Sequence, residues 1–353
     1  MARPPQKQTP QRSYTKRLLQ LTDHLRLFLS PSRQPYVACS SIATPIYSEP
    51  FFDWLMVHSK RHLGQIPCPQ QFGTIVSKLD ARARLSAPKE PIHSRIAKIA
   101  TKSYQLELGT AHQDVVNITG KKWKQSTNFA ATFERLENFE KFTTPVQTSR
   151  SLGWCFEQAF KLNPEKANKL ALWVAEALLP DQKPPILVIT GKASQKAAAK
   201  LRNLIDPVTE PIIYTPQSWT ELPRMAIDDK VLVFAPENPF TEKTLLKLRQ
   251  IHQGARVAIR YCNRRLEKLN TTVQRTIMIA SNEPMEISPG QLTIEINEAF
   301  DTSPGSDQLI LGALLNLMVQ IVGQPMEVPA PMAQAAASAS TAPNSQPLQL
   351  DSS

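Results

Sequence analysis

The run Pro184-Pro185-Ile186-Leu187-Val188-Ile189-Thr190-Gly191, with the stretch from Lys192 to Leu201 behind it, constrains this chain more than any other part. A continuous aliphatic run entered through prolines suits a strand covered on both faces, and the alanine-rich stretch beyond Gly191 suits a helix. Strand, glycine turn and helix in that order is the repeating unit of parallel α/β sheets. The same turn is where a phosphate-binding loop would lie. Such a loop needs G-x-x-x-x-G-K-[ST]: glycines let backbone N–H groups converge on phosphate, the lysine reaches the β and γ phosphates, and the hydroxyl holds magnesium. Here Gly191 takes the first glycine position, Gln195 stands at the second, the lysine is Lys196, and Ala197 replaces the hydroxyl in a loop one residue short.

Around this unit, strands alternate with helices. Continuous apolar runs predict strands at 186–190, 211–214, 231–234, 257–262 and 276–280, with helices near 194–205, 241–251 and 306–322. Leu292-Thr293-Ile294-Glu295-Ile296 alternates and reads as an edge strand. Asn163-Pro164-Glu165 starts a helix, with a side-chain cap, a proline in the first turn and an acid at the positive end. Its buried stripe is Leu170, Trp173, Val174, Ala177 and Leu178. Beyond Gly323, an Ala, Ser, Pro and Gln-rich tail has no pattern and is expected to be disordered.

The first 150 residues read differently. They carry 22 Lys and Arg against 10 Asp and Glu, whereas the rest carries 19 against 20, so the whole net charge of +11 comes from the first part. A surplus so placed suits a polyanion, DNA before RNA, or simply a solvated basic surface. Leucines at 18, 21, 25 and 29 beside Lys16, Arg17 and Arg26 predict an amphipathic helix over 14–29 on a basic arm, docking a partner or the chain itself. Two helices follow at roughly 49–63 and 69–84, broken at Gly64, Pro67 and Pro69, the first burying Phe52, Leu55 and Met56. His58 and His62 stand one helical turn apart with no third ligand in view, so no metal site is expected. From Ile92 to Gln125, short alternating runs turning at Gly109 and Gly120 predict an antiparallel meander, and 126–150 a connector. Lys121, Lys122, Trp123 and Lys124 there suit base stacking beside phosphate contacts; Trp123 equally suits the meander's core. Cys39, Cys68, Cys155 and Cys262 have no metal or disulfide spacing and read as reduced thiols. With no opening hydrophobic run and no stretch of about 20 apolar residues, the chain is expected to be soluble and cytoplasmic, with no membrane partner.

In several pieces the chain resembles a helicase-like P-loop (AAA+/RecA-type) ATP-binding family of bacterial mobile elements, prophages and plasmids, often encoded beside primases. The resemblance lies in Phe52-Asp53-Trp54-Leu55, Tyr104-Gln105-Leu106-Glu107-Leu108-Gly109, Ala177-Leu178-Leu179-Pro180 and Pro185 to Gly191. It continues through Leu201-Arg202-Asn203-Leu204-Ile205-Asp206-Pro207, Lys230 to Phe234, and Arg275 to Asn282. It implies an α/β fold: a P-loop NTPase-like, mostly parallel sheet with flanking helices, preceded by a small α+β domain. The implied division is a basic arm over 1–45, a helix-plus-meander domain over 46–150, the ATPase-like domain over 151–325 and the tail over 326–353. It also implies vestigial nucleotide contacts at Gly191, Lys192, Lys196, Glu237 and Asn282, the last as a sensor at a strand end. Family members usually carry an acid directly after the 231–234 strand; this chain has Ala235-Pro236, with Glu237 displaced by two residues. Losing hydroxyl and acid together removes both protein supports for magnesium, so no efficient ATP hydrolysis, no catalytic residue and no resident cofactor are expected, with ATP bound weakly at most. Lys192 and Lys196 read otherwise as helix-surface lysines. Arg256, Arg260, Arg264 and Arg265 would contact nucleic acid or a neighbour's nucleotide in a ring, or form local ion pairs.

These features predict a non-hydrolysing nucleic-acid-binding or scaffolding component in replication or maintenance of a mobile element. Two alternatives stay open. One is a divergent active NTPase using Lys196 and Glu237; the other is a protein-binding adaptor or homo-oligomer engaging a partner through the 18–29 segment.

Overall fold

The computed structural model describes residues 10–110, 112–135, 138–212, 222, 225–226, 229–237, 240–260, 268–298 and 304–324. The patternless tail beyond 324 and the strand residues expected at 213–214 and 261–262 lie outside them. The chain is mixed α/β, with a parallel sheet flanked by helices and a separate antiparallel sheet.

The first layer is α1 (Pro10–Leu21), β1 (Arg26–Leu29), β2 (Pro35–Cys39), β3 (Ile42–Pro45), α2 (Glu49–Leu63) and α3 (Pro69–Ser86). The helix expected over 14–29 therefore stops at Leu21. Thr22 turns back to donate both its N–H and its hydroxyl to the Leu19 carbonyl, ending the helix. Arg26–Leu29 then pairs with β2, which stacks Phe28 on Tyr36 with ring centroids 5.6 Å apart. Of the four leucines, the buried Leu18 and the half-buried Leu21 lie on α1, Leu25 falls in the turn after it, and the buried Leu29 ends β1. Tyr14, Leu18, Val37, Phe51, Leu55 and Leu79 share one core. On α2 the fully buried aromatic is Phe51 and not Phe52, which stays half-buried with its ring edge-on to Phe72 at 4.6 Å; Met56 is likewise only half-buried.

The meander follows as β4 (Ile96–Ala100), β5 (Ser103–Glu107), β6 (Val115–Thr119) and β7 (Trp123–Ser126), antiparallel and in sequence order. The connector then returns to the first layer, where β8 (Phe133–Glu134) pairs parallel to β3. Next come α4 (Leu152–Phe160) and α5 (Pro164–Leu178), with Asn163 Oδ1 accepting the Lys166 N–H at 2.8 Å as the sequence cap requires.

The parallel sheet contains β9 (Leu187–Thr190), β10 (Val231–Phe234), β13 (Thr276–Ser281) and β14 (Leu292–Glu295), in the order β10-β13-β9-β14. Every residue of β9 and β10 is buried, which explains their apolar sequence, broken at Thr190 where β9 ends. α6 (Ser194–Ile205) and α7 (Glu242–Gln253) cover it. Among the described residues, two expected strands are not found in this sheet. Pro211 and Ile212 form no strand. The run from 257 belongs to β11 (Ala255–Arg260), which pairs antiparallel with β12 (Lys268–Val273) in a hairpin of its own. An apolar run marks burial without specifying which partner supplies it.

The last helix, α8 (Pro304–Gly323), stands where a helix was expected near 306–322. Among the described residues it is the one helix long and apolar enough to cross a membrane, with a mean hydropathy of 1.4 over Ser306–Gly323. Here it is a core helix: Ile310, Leu311, Leu314, Leu315 and Met318 are buried as it packs on α4, α5, β6 and β7. At its end a Cβ on Gly323 would lie 2.6 Å from the Gly120 carbonyl oxygen, so two glycines let the β6–β7 turn meet the helix backbone to backbone.

Buried charge ties the meander to the sheet. Arg95, ahead of β4, donates from Nε to Asp206 Oδ1 at 2.8 Å and from Nη2 to the carbonyls of Glu140 and Pro207. Arg202 on α6 bonds Asp206 Oδ2 and Asp229 Oδ1, each at 2.9 Å. Burial alone would raise the Asp206 carboxyl; the guanidiniums of Arg202 and Arg95 outweigh it and hold the group below the usual carboxylate range. Asp229 is pushed up instead, by burial and the neighbouring Asp206 charge, against Arg202.

Candidate functional site

The chain leaves β9 and returns to the sheet at β10, two positions away on one side, and finally at β14 on the other. The carboxyl end of β9 is therefore where connections diverge, the place where open parallel sheets form ligand crevices. A cavity of about 340 Å³ lies there, lined by Lys166 from α5, Thr190 and Gly191 from β9, Asn282 and Pro284 past β13, and Thr293, Glu295 and Asn297 from β14 and its exit. The register puts Thr190 opposite Ser281 on one side and Glu295 on the other, so these residues meet at one edge.

Of the residues singled out from the sequence, Gly191 and Asn282 come together in this lining. Lys192 and Lys196 are exposed on the turn and the first turn of α6, and Glu237 is exposed beyond Ala235 and Pro236; none of the three lines the cavity. Ala235, at the position expected to carry an acid, is buried among the apolar residues of the sheet.

The loop's own hydrogen bonds are the distinctive feature. Gly191 has φ +97°, and a Cβ there would stand 2.4 Å from Asn297 Oδ1 and 2.7 Å from the Ile296 carbonyl oxygen. Both oxygens meet donors of the loop: Ala193 N–H donates to Ile296 O at 3.1 Å, and Lys192 N–H reaches Asn297 Oδ1 at 3.4 Å. Ser194 N–H closes back on Gly191 O at 3.0 Å. Asn297 is itself oriented, donating from Nδ2 to Glu295 Oε1 at 2.7 Å. Amide donors that a phosphate loop turns toward its ligand are engaged by the chain's own acceptors. The cavity contains one lysine and one carboxylate, and among the described residues no group of three His, Cys, Asp or Glu could hold a metal.

Lys166, Thr190, Glu295 and Asn297 were not singled out from the sequence. Lys166 is brought in by the Asn163-capped start of α5. Glu295 and Asn297 arrive because β14 pairs with β9, a neighbour relation that no local pattern encodes.

Elsewhere, Lys121, Lys122 and Lys124 are exposed around the β6–β7 turn, where Thr119 Oγ1 donates to the Lys122 carbonyl at 2.9 Å. Trp123 is turned inward, 7% exposed, and donates from Nε1 to Asn316 Oδ1 of α8 at 2.8 Å, so its ring packs the core. Arg256 is exposed at the start of β11; Arg260 ends that strand, and Arg264 and Arg265 lie outside the described residues. His58 Nδ1 donates to the Trp54 carbonyl at 2.9 Å, with its ring stacked on Trp54.

No protein-family model matches the chain, and no curated protein matches it. Among solved structures, its neighbours include the C-terminal region of NrS-1 in an apo A form, at TM-score 0.40 and 11% identity over 91% of this chain and 70% of that one. A second apo structure of that region gives TM-score 0.41 and 12% identity, over 90% and 70%.

Proposed function

We propose that this chain is a cytoplasmic, helicase-like P-loop pseudo-ATPase that binds nucleic acid, DNA before RNA, as a scaffolding component in replication or maintenance of a mobile element. The observation that carries the reading is the loop that satisfies itself. Lys192 and Ala193 spend their amide donors on Asn297 Oδ1 and the Ile296 carbonyl, at the crevice where an open parallel sheet would take a nucleotide. Ala197 and Ala235 stand where a magnesium-supporting hydroxyl and acid are needed, which argues against hydrolysis. The nucleic-acid half rests on the basic first 150 residues and on the exposed Lys121, Lys122 and Lys124.

Two measurements test it. Magnesium-ATP should leave the melting temperature unmoved and show no turnover, because a ligand that binds the folded chain must stabilise it. Magnesium-dependent turnover abolished by Lys196→Ala would instead favour an active NTPase. A gel-shift titration on duplex DNA should show binding that weakens steeply with added salt; absence of binding at low salt removes the nucleic-acid half.

A further inference from the structure

A second cavity of about 300 Å³ lies at the opposite, amino end of the parallel sheet. Its lining includes Lys183 ahead of β9, Lys230 directly before β10, Arg275 directly before β13, His252 near the end of α7, and His93 in the segment leading to β4. The one carboxylate in the lining, Asp181, is taken by Lys98 Nζ at 2.7 Å and by the Tyr104 hydroxyl at 2.8 Å. The deeper carboxylates are engaged as well, Asp206 by Arg95 and Arg202, and Asp229 by Arg202. What faces the cavity is three formal cations and two imidazoles.

Lys230 is the group that most needs a partner. The residue keeps some accessible surface, but its ammonium is enclosed. It donates to the Leu178 carbonyl at 2.9 Å, and an ammonium has three donors to place. Among the described residues no carboxylate forms an ion pair with it. A desolvated cation in that condition is unfavourable unless a negative oxygen reaches it. Burial lowers its pKa to about 8; Asp206 opposes the shift while Arg275, Arg95 and Arg202 add to it. His252 Nδ1 is also buried with no hydrogen-bond partner among the described residues.

We propose that this cavity binds a small phosphate-type oxyanion, inorganic phosphate or pyrophosphate, with Lys230 as the central ammonium and Arg275, His252 and Lys183 as further donors. A tetrahedral oxyanion offers acceptor oxygens in several directions, which matches donors arriving from four separate elements, and the volume leaves room for bridging water. The proposal does not depend on the reading of the β9 crevice, and its test is separate from the ATP and DNA measurements.

The test is thermal unfolding of the full chain at pH 7 and constant ionic strength. Millimolar phosphate should raise the midpoint saturably by about 2–3 °C, and the Lys230→Met chain, which keeps the stem and loses the charge, should show no rise. Pyrophosphate run beside phosphate identifies which of the two the cavity prefers. An equal rise in chloride, or an undiminished rise in Lys230→Met, overturns the proposal. A readout independent of variant stability is the 31P line width of phosphate. It should broaden with the wild-type chain and much less with Lys183→Gln; no broadening with wild type rejects the site.

Discussion

Asp206 holds two guanidiniums with one carboxylate, Arg95 at 2.8 Å and Arg202 at 2.9 Å, and all three groups are buried. Removing its charge leaves the two buried guanidiniums with only Glu107 at 3.6 Å from Arg95 and Asp229 at 2.9 Å from Arg202, so Asp206→Asn should cost about 3–5 kcal/mol at neutral pH. The direction of its pKa fixes the pH dependence. A carboxyl held below its unfolded value contributes stability that is complete above about pH 4 and is lost as pH falls through the folded value. Urea unfolding at neutral and acid pH checks both statements: wild type should lose stability on acidification, and Asp206→Asn should start lower and lose less. Equal acid sensitivity in the two chains would show that Asp206 is not the carboxylate concerned. Gly191 is the other residue whose local demand is plain, since its φ of +97° and the close Ile296 and Asn297 oxygens leave no place for a Cβ.

Elements that declared themselves in sequence did so through local chemistry. The cap of α5 at Asn163, the glycine end of α2 at Gly64 and the largely apolar β9 and β10 needed no distant information, and each stands where it was expected. The failures share a cause. Arg26–Leu29 carried a helical spacing and became a strand because β2 supplied an aromatic partner, and β11 left the parallel sheet because β12 paired with it. Glu295 and Asn297 were invisible as site residues because only the β9–β14 register puts them beside Gly191. In each case pairing with another strand decided the outcome, the next strand in sequence for β1 and β11 and a distant one for β9. α8 shows how such a partner can be tested. Asn316 accepts from the Trp123 indole at 2.8 Å and donates from Nδ2 to the Thr148 carbonyl at 2.7 Å, joining meander, helix and connector. Asn316→Ala strands a buried indole N–H and should lower stability by about 1–3 kcal/mol in urea unfolding, with the Trp123 emission shifted. Asn316→Gln, too long for the same geometry, should not restore it; full restoration would mean that the hydrogen bonds contribute little.

The charge of the molecule divides between its parts in a way the buried network does not explain. Arg95 and Arg202 are used inside, pairing with Asp206 and Asp229, and the half-exposed Arg135 reaches in to Glu107, whereas Lys121, Lys122 and Lys124 face water around the turn that Gly120 seats against the end of α8. A turn fixed by backbone contacts tolerates changes in its exposed side chains, so these three lysines can be removed without disturbing the fold. If they meet a nucleic-acid backbone, each releases about one counterion on binding, and the slope of log affinity against log salt carries their number. The triple change Lys121→Ala, Lys122→Ala, Lys124→Ala should flatten that slope by about 2–3 and weaken low-salt DNA binding at least tenfold, equally on unrelated duplexes. Circular dichroism melts of the two chains should superimpose, which separates a lost contact from a lost fold. An unchanged slope with intact DNA binding would move the interface off the meander, leaving Arg256 and the basic surface of the first layer to carry it.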